Sequence, residues 1–154
     1  MSTRLDAQLQ FSSAQALTAD AISENVIDLG PLGGSNTVRD IAAAGNAGVM
    51  IQVSTVLDSA GEAATLTITV ESDSAVGLDS SATVHATTTA ITEATLVAGY
   101  VAYIPLPPGA YERYLGLRYT TGTEDFTSGA VNAWLVHGPQ PTWRAYSDNT
   151  TNSA

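Results

Sequence analysis

The amino-acid sequence predicts an all-β protein, an antiparallel jelly roll or β-sandwich with extended N- and C-terminal arms. Three observations predict it. Thr65–Glu71 (TLTITVE) alternates cleanly, with Leu66, Ile68 and Val70 on one face and Thr65, Thr67 and Thr69 on the other. Tyr111–Val136 reads as two alternating strands joined by TGTEDFTSG, a loop rich in Gly, Thr and acids. No segment holds a helical period beyond about two turns, and no repeat period is visible, which points away from bundles and solenoids.

Taken in order, residues 1–22 form the first arm, anchored by Leu5, Leu9, Phe11 and Leu17. Ser12 and Gln15 have capping-box spacing, so this segment suits a short helical turn as well as an extended arm. Residues 23–137 form the jelly-roll domain. SENVIDL (23–29) reads as a strand stopped by Gly30-Pro31. Residues 30–48 read as a long loop crossing the end of a sheet. VMIQVSTVL (49–57) is a strand with Val49, Ile51, Val53 and Thr55 on one face. A turn at Asp58–Glu62 leads to the Thr65 strand, a loop at residues 72–82, a short strand at Thr83–Thr89, and a strand over Leu96–Leu106 ended by prolines. The last two strands read as a hairpin at the centre of the domain, with Arg113, Leu115, Leu117 and Tyr119 facing one way, and Val131, Ala133 and Leu135 set against Asn132, Trp134 and Val136. Gly116, inside the first of them, marks a bulge or a close approach. Residues 138–154 form the second arm, a Pro-punctuated tail that still carries Trp143 and Tyr146.

The chain has 154 residues, enough for one domain with its own core. It has no cysteine, which excludes a disulfide framework, a thiolate metal site and a thiol nucleophile. Only 13% of residues are charged, the net charge is −10, and the five basic residues are all arginine. Without a basic patch, such a chain has no footprint for nucleic acid or anionic membranes. No apolar run approaches the roughly 18 residues of a membrane-spanning helix. The first residues lack the apolar centre of a secretory signal, so the expectation is a protein that stays in the cytoplasm or leaves by cell lysis.

Candidate chemistry is sparse. His85 and His137 are far apart, with no ligand-type spacing. The carboxylates Asp58, Glu62, Glu71, Asp73 and Asp79 are strung over loops, where solvated charge, a calcium site or an acid–base pair are the readings to weigh. Glu124-Asp125 reads as solvated loop charge. No nucleophile elbow, phosphate loop or zinc-protease motif is present. The aromatics Tyr100, Tyr103, Tyr111, Tyr114, Tyr119, Trp134 and Trp143 suit a core, an interface or a sugar-stacking platform. The chain is therefore read as non-enzymatic, with no catalytic, metal or cofactor-binding residue.

Three framework pieces, NVIDLG (25–30), LVAG (96–99), and RYL (113–115) followed by FTSGAV (126–131), together with the strand order between them, resemble the capsid cement (decoration) proteins of tailed bacteriophages, in particular the family of the jelly-roll cement protein of a Bordetella podophage. The resemblance covers most of residues 9–137. It implies a structural virion protein assembled in the host cytoplasm, placed on the outer surface of an icosahedral capsid and bridging major capsid subunits, working as a homodimer or homotrimer without a cofactor. The contact residues expected on this reading are Arg4, Leu5 and Phe11 in one arm and Trp143, Arg144 and Tyr146 in the other. The loops at 33–48 and 72–81 have no counterpart in the resemblance and are candidates for contacts particular to this virus. The alternative is a carbohydrate-binding β-sandwich module of a virion adhesin, using surface Tyr and Trp.

Overall fold

A computed structural model describes residues 6–33, 38–79 and 81–137. The described strands are β1 (Gln10–Ala16), β2 (Ala21–Ile22), β3 (Ile27–Asp28), β4 (Ala47–Ser59), β5 (Thr65–Asp73), β6 (Thr83–Thr87), β7 (Ile91–Thr92), β8 (Val101–Pro105), β9 (Tyr114–Gly122) and β10 (Phe126–His137). They form two antiparallel sheets packed as a sandwich. One has the order β1-β10-β4-β8; the other has the order β2-β9-β5-β6, with β3 also on β9 and β7 on β5. Helical structure among the described residues is limited to 3-10 turns at Ala7–Leu9 and Glu93–Thr95.

The core lies where the inward faces meet. Leu66, Ile68 and Val70 of β5 and Leu115, Leu117 and Tyr119 of β9 pack against Val49, Ile51, Val53 and Leu57 of β4 and Val131 and Ala133 of β10. Each fully buried aliphatic side chain contributes about 1.5–3 kcal/mol over its exposed state. The faces are those the alternation predicts, except at Thr55. It is exposed, because the β4–β10 register slips between Ala130↔Thr55 and Val131↔Val53.

The predicted terminal hairpin does not form. β9 pairs with β5 along Thr65–Asp73, whereas β10 pairs with β4 and β1, so the two strands lie in opposite sheets. Residues 123–125 carry the chain across the core. The corner is held by Asp20 Oδ1, which accepts from the Thr121 amide at 2.7 Å and its hydroxyl at 3.0 Å. Phe126 enters the core just beyond it. Both strands are nonetheless central in their sheets.

The N-terminal arm is also shorter than expected. Residues 10–22 are framework, with Phe11 and Leu17 fully buried. No helix starts at Ser12. Its hydroxyl donates to Gln15 Oε1 (2.6 Å) and lies 2.8 Å from the Tyr119 hydroxyl, while Gln15 Nε2 donates to the Ile22 carbonyl (2.8 Å). The two residues with capping spacing thus serve a buried polar link between sheets. β1 bends around it through two register shifts and a left-handed Ala14.

Other spans contract. The strand expected at 23–29 reduces to Ile27–Asp28, because buried Ser23 accepts from Leu117 N–H and donates to the Asn25 carbonyl. The strand expected at 96–106 reduces to β8, since Leu96 closes a 3-10 turn and Gly99 takes a left-handed conformation. The long loop after Gly30 is pinned by Arg39, whose guanidinium donates to the carbonyls of Gly30 and Glu112.

Candidate contact surfaces

The loop after β5 folds over the outer face of the six-stranded sheet, and a short polar ladder holds it there. Outward positions of β5 and β9 bring Glu71 opposite Gly116. Leu78, almost fully buried, lies where a Cβ on Gly116 would stand, 2.4 Å from its Cδ1. Gly116 is therefore a site of close approach and not a bulge, since β5–β9 pairing is continuous there. Arg118 binds both oxygens of Glu71 through Nε, at 3.0 and 3.1 Å, and its Nη2 donates to the Leu78 carbonyl at 2.6 Å. Fully buried Asp73 accepts from the Ala75 amide at 3.2 Å and from the hydroxyls of Ser74 and Ser81. These donors hold its carboxyl below the usual range, the Ala75 bond foremost. The result is a fixed outer loop displaying Val76, which is 61% exposed.

The opposite end of the sandwich carries a second carboxylate clasp. Glu124 accepts from the amides of Ala63 (3.0 Å) and Gly61 (3.1 Å) and from the Ser59 hydroxyl (2.8 Å), and Glu93 also bonds Ser59 through its hydroxyl and its amide. Glu124 is thus a corner staple and not free loop charge. Its amide partners lower its carboxyl below the usual range. At the β3–β9 edge, Arg113 forms two hydrogen bonds to Asp28, at 2.9 and 2.8 Å, and lies 5.0 Å over the Tyr114 ring. This pairing, with the Gly30 amide, lowers the Asp28 carboxyl to about 2.

The matched family places this framework. A family model, Bbp16, matches residues 11–135, from β1 through β10. The chain belongs to the Bbp16 family. Bbp16 is a family of Bordetella phage proteins. No curated protein matches the chain. The Bbp16 match takes in both sheets and the polar ladder, and leaves outside it residues 1–10 and 136–154.

Of the expected contact residues, Arg4 and Leu5 and the three C-terminal ones, Trp143, Arg144 and Tyr146, lie outside the described residues. Phe11 is a correction. It is buried in the core of the Bbp16 sandwich, because β1 is a paired strand and its Phe faces the other sheet. Among the described residues, the aromatics expected to suit a sugar-stacking platform are spread over the core and the two sheets. Tyr111 and Tyr119 are core, Trp134 packs with Met50, Val136 and Tyr103 on the outer side of the four-stranded sheet, and Trp143 lies outside the described residues.

The loop carboxylates separate into two groups. Asp58 and Glu62 sit at one end of β5 and Asp73 and Asp79 at the other, so the strand's nine residues hold them about 25–30 Å apart. Glu71 and Asp79 do line one open cleft. There both Glu71 oxygens are taken by Arg118, and the Asp79 carboxylate folds back against Gly77. Among the described residues no group of three or more His, Asp or Glu side chains is placed to hold a metal ion. His85, read as isolated, stacks on Tyr111 at 4.0 Å and bonds the Ser72 hydroxyl at 2.7 Å. Ser72 is fully buried and accepts from the Glu112 amide, so this Ser–His pair joins strands β5 and β6, with the hydroxyl closed to solvent and the imidazole half-buried. Sequence spacing carries no signal for it.

These shifts set the pH response. Burial lowers the His85 imidazole, so its contribution is present above the unfolded value near 6.5 and declines as pH falls below it. Asp28, Asp73 and Glu124 are depressed, so theirs is present above the ordinary values of 3.8–4.5 and is lost as pH falls through the lower folded ones, about 2 for Asp28. The expected melting temperature is flat from about pH 7 to about pH 9, below the range in which the buried tyrosines, whose phenols burial raises, begin to cost stability, and it falls in two stages on acidification. Glu124→Gln should shrink the second stage and leave the first. Calorimetry at closely spaced pH values checks this, and an unchanged acid limb in the variant would remove Glu124 from the account.

Proposed function

We propose that this chain is a structural virion protein that decorates the outer surface of an icosahedral phage capsid and cements it by bridging major capsid subunits. Membership of the Bbp16 phage family across the whole sandwich carries this reading. The described surface supports it. Loops are fixed to the sheets by buried polar links, and Glu71, Asp73, Glu124 and the Ser–His pair are engaged in structure. A clamp under outward load needs stiffness and contact area, and needs no reactive group. A net charge of −10 suits an outer face turned away from packaged nucleic acid. The partners on this reading are the major capsid protein and further copies of the chain, with no nucleic acid, membrane or cofactor, and no catalytic activity.

The test is co-sedimentation of the purified protein with shells that lack it. Saturation at a fixed ratio to capsid subunits, with a gain in the heat resistance of the shells, is the expected result. Absence of binding to otherwise complete shells would overturn it.

A further inference from the structure

We infer that an apolar platform on the outer face of the four-stranded sheet is a docking site for the chain's own C-terminal segment, residues 138–154, which lays Trp143 and Tyr146 across it. The contact is internal to one chain and does not rest on the capsid reading.

Alternation puts the platform on the outside. Val131 and Ala133 of β10 and Val49, Ile51 and Val53 of β4 face the core, so Trp134, Val136 and Met50 face away from it. The register lines them up. Trp134 pairs with Met50, and Met50 with Tyr103, making one row across β10, β4 and β8. The next row is Val136, Gly48 and Pro105, and the Tyr103 ring lies over Gly48, where a Cβ would stand 2.3 Å from it. On the other side the row is Asn132, Gln52 and Val101, and polarity returns. The apolar rows therefore occupy the end of the sheet at which β10 finishes, at His137.

An outward-facing platform is expected to be wet, yet Trp134, Met50 and Val136 are only 9%, 6% and 7% exposed. Neighbours in a row shield one another's flanks, but not the outer face of an indole. Among the described residues the apolar side chain packed against the three is Tyr103, itself half-buried. Burial also raises the Tyr103 phenol. A further cover is needed, and chain continuity selects it. His137 directly follows Val136, and the sequence runs on as GPQPTWRAY. β10 has a neighbour on each side, β1 and β4. Proline has no amide to give either of them, so Pro139 and Pro141 direct the chain out of the sheet. The six residues from His137 to Trp143 reach about 20 Å when extended. β8 lies two strand spacings from β10, about 10 Å, so the indole can reach every part of the platform. Residues 138–147 carry one charge, Arg144, opposite in sign to the net −10, so docking desolvates little charge. The other terminus is the poorer fit: residues 1–5 hold no aromatic, and β1 meets the row only at its rim, through Gln10 opposite Trp134. Left open, such a face is an adhesive patch.

The chain has two tryptophans, Trp134 and Trp143, so replacing Trp143 leaves Trp134 as the sole reporter on the platform. The experiment is acrylamide quenching of Trp134 fluorescence in three full-length proteins. Trp143→Phe keeps an aromatic anchor, Trp143→Ser with Tyr146→Ser removes both anchors, and Trp143→Phe with Leu5→Ser disturbs the other terminus. The quenching constant should be low in the first and third and rise about threefold in the second, with a red-shifted emission and an unchanged circular dichroism spectrum. Dilution of the Trp143→Phe protein should leave its quenching unchanged. Amide exchange in the wild type gives a second reading that needs no variant: residues 143–146 should exchange more slowly than an open chain. Equal quenching in the first two proteins, an equal rise with Leu5→Ser, or open-chain exchange at residues 143–146 overturns the inference. So does protection that fades on dilution, which would put the segment of another copy on the platform.

Discussion

Gly129→Ala should lower the stability of the sandwich by about 3 kcal/mol, a fall in melting temperature of roughly 6–12 °C for a domain of this size. Two effects add. Gly129 sits at φ +132, which a residue with a Cβ rarely adopts, and the new Cβ would lie 2.6 Å from Leu57 Cα and 2.9 Å from the Val56 carbonyl. Those are backbone atoms of β4 and cannot rotate aside. The glycine occupies the irregular stretch of β10 where the register on β4 slips, and its carbonyl accepts from the Leu17 amide at 3.1 Å. Displacing it disturbs three strands or their connections together. Gly109→Ala is the control, since nothing lies within 4 Å of its would-be Cβ and its φ is ordinary. It should shift stability by less than about 0.5 kcal/mol. Calorimetry on the two variants decides the matter. A Gly129→Ala protein that melts with its control would mean that the β4–β10 approach is looser than described.

The second large effect concerns the outer loop. Arg118→Met should cost about 2 kcal/mol, because it leaves the Glu71 carboxylate, 6% exposed, without its guanidinium and frees the Leu78 carbonyl. The arginine is itself 38% exposed, so water can replace part of what is lost. The damage should be local. Amide exchange in residues 74–82 should rise while that of β9 and β10 stays near wild type. Adding Glu71→Gln should recover part of the loss, since an uncharged amide is less costly to bury unpaired than a carboxylate. Equal destabilisation in the single and double variants, or an unchanged loop, would show that Glu71 and Arg118 do not form the coupled unit described.

The inward faces of β4, β5, β9 and β10 were legible because alternation is local. A half-buried strand declares its buried side within five or six residues, whatever lies beside it. The polar devices were not legible for the opposite reason. Ser12 and Gln15 have the spacing of a helix cap, yet their partners are Tyr119 and Ile22, brought together only when β1 and β9 face each other across the core. Glu124 has the neighbours of solvated loop charge, and its amide partners are some sixty residues away. The contact residues expected from aromatic content fared by location: Phe11 proved to be core, and the remaining five lie outside the described residues.

Composition and period settled the all-β class, the strands with the strongest alternation, and the absence of cysteine. Tertiary structure decided which strands are neighbours. Tyr111–Val136 has the same pattern whether its strands pair in one sheet or arch between two, because both arrangements bury the same faces in the same core. The corner around Asp20, Thr121 and Glu124 resolves it, with partners drawn from distant parts of the chain. Those bonds exist only after the sheets have met, so no local reading of the residues could contain them.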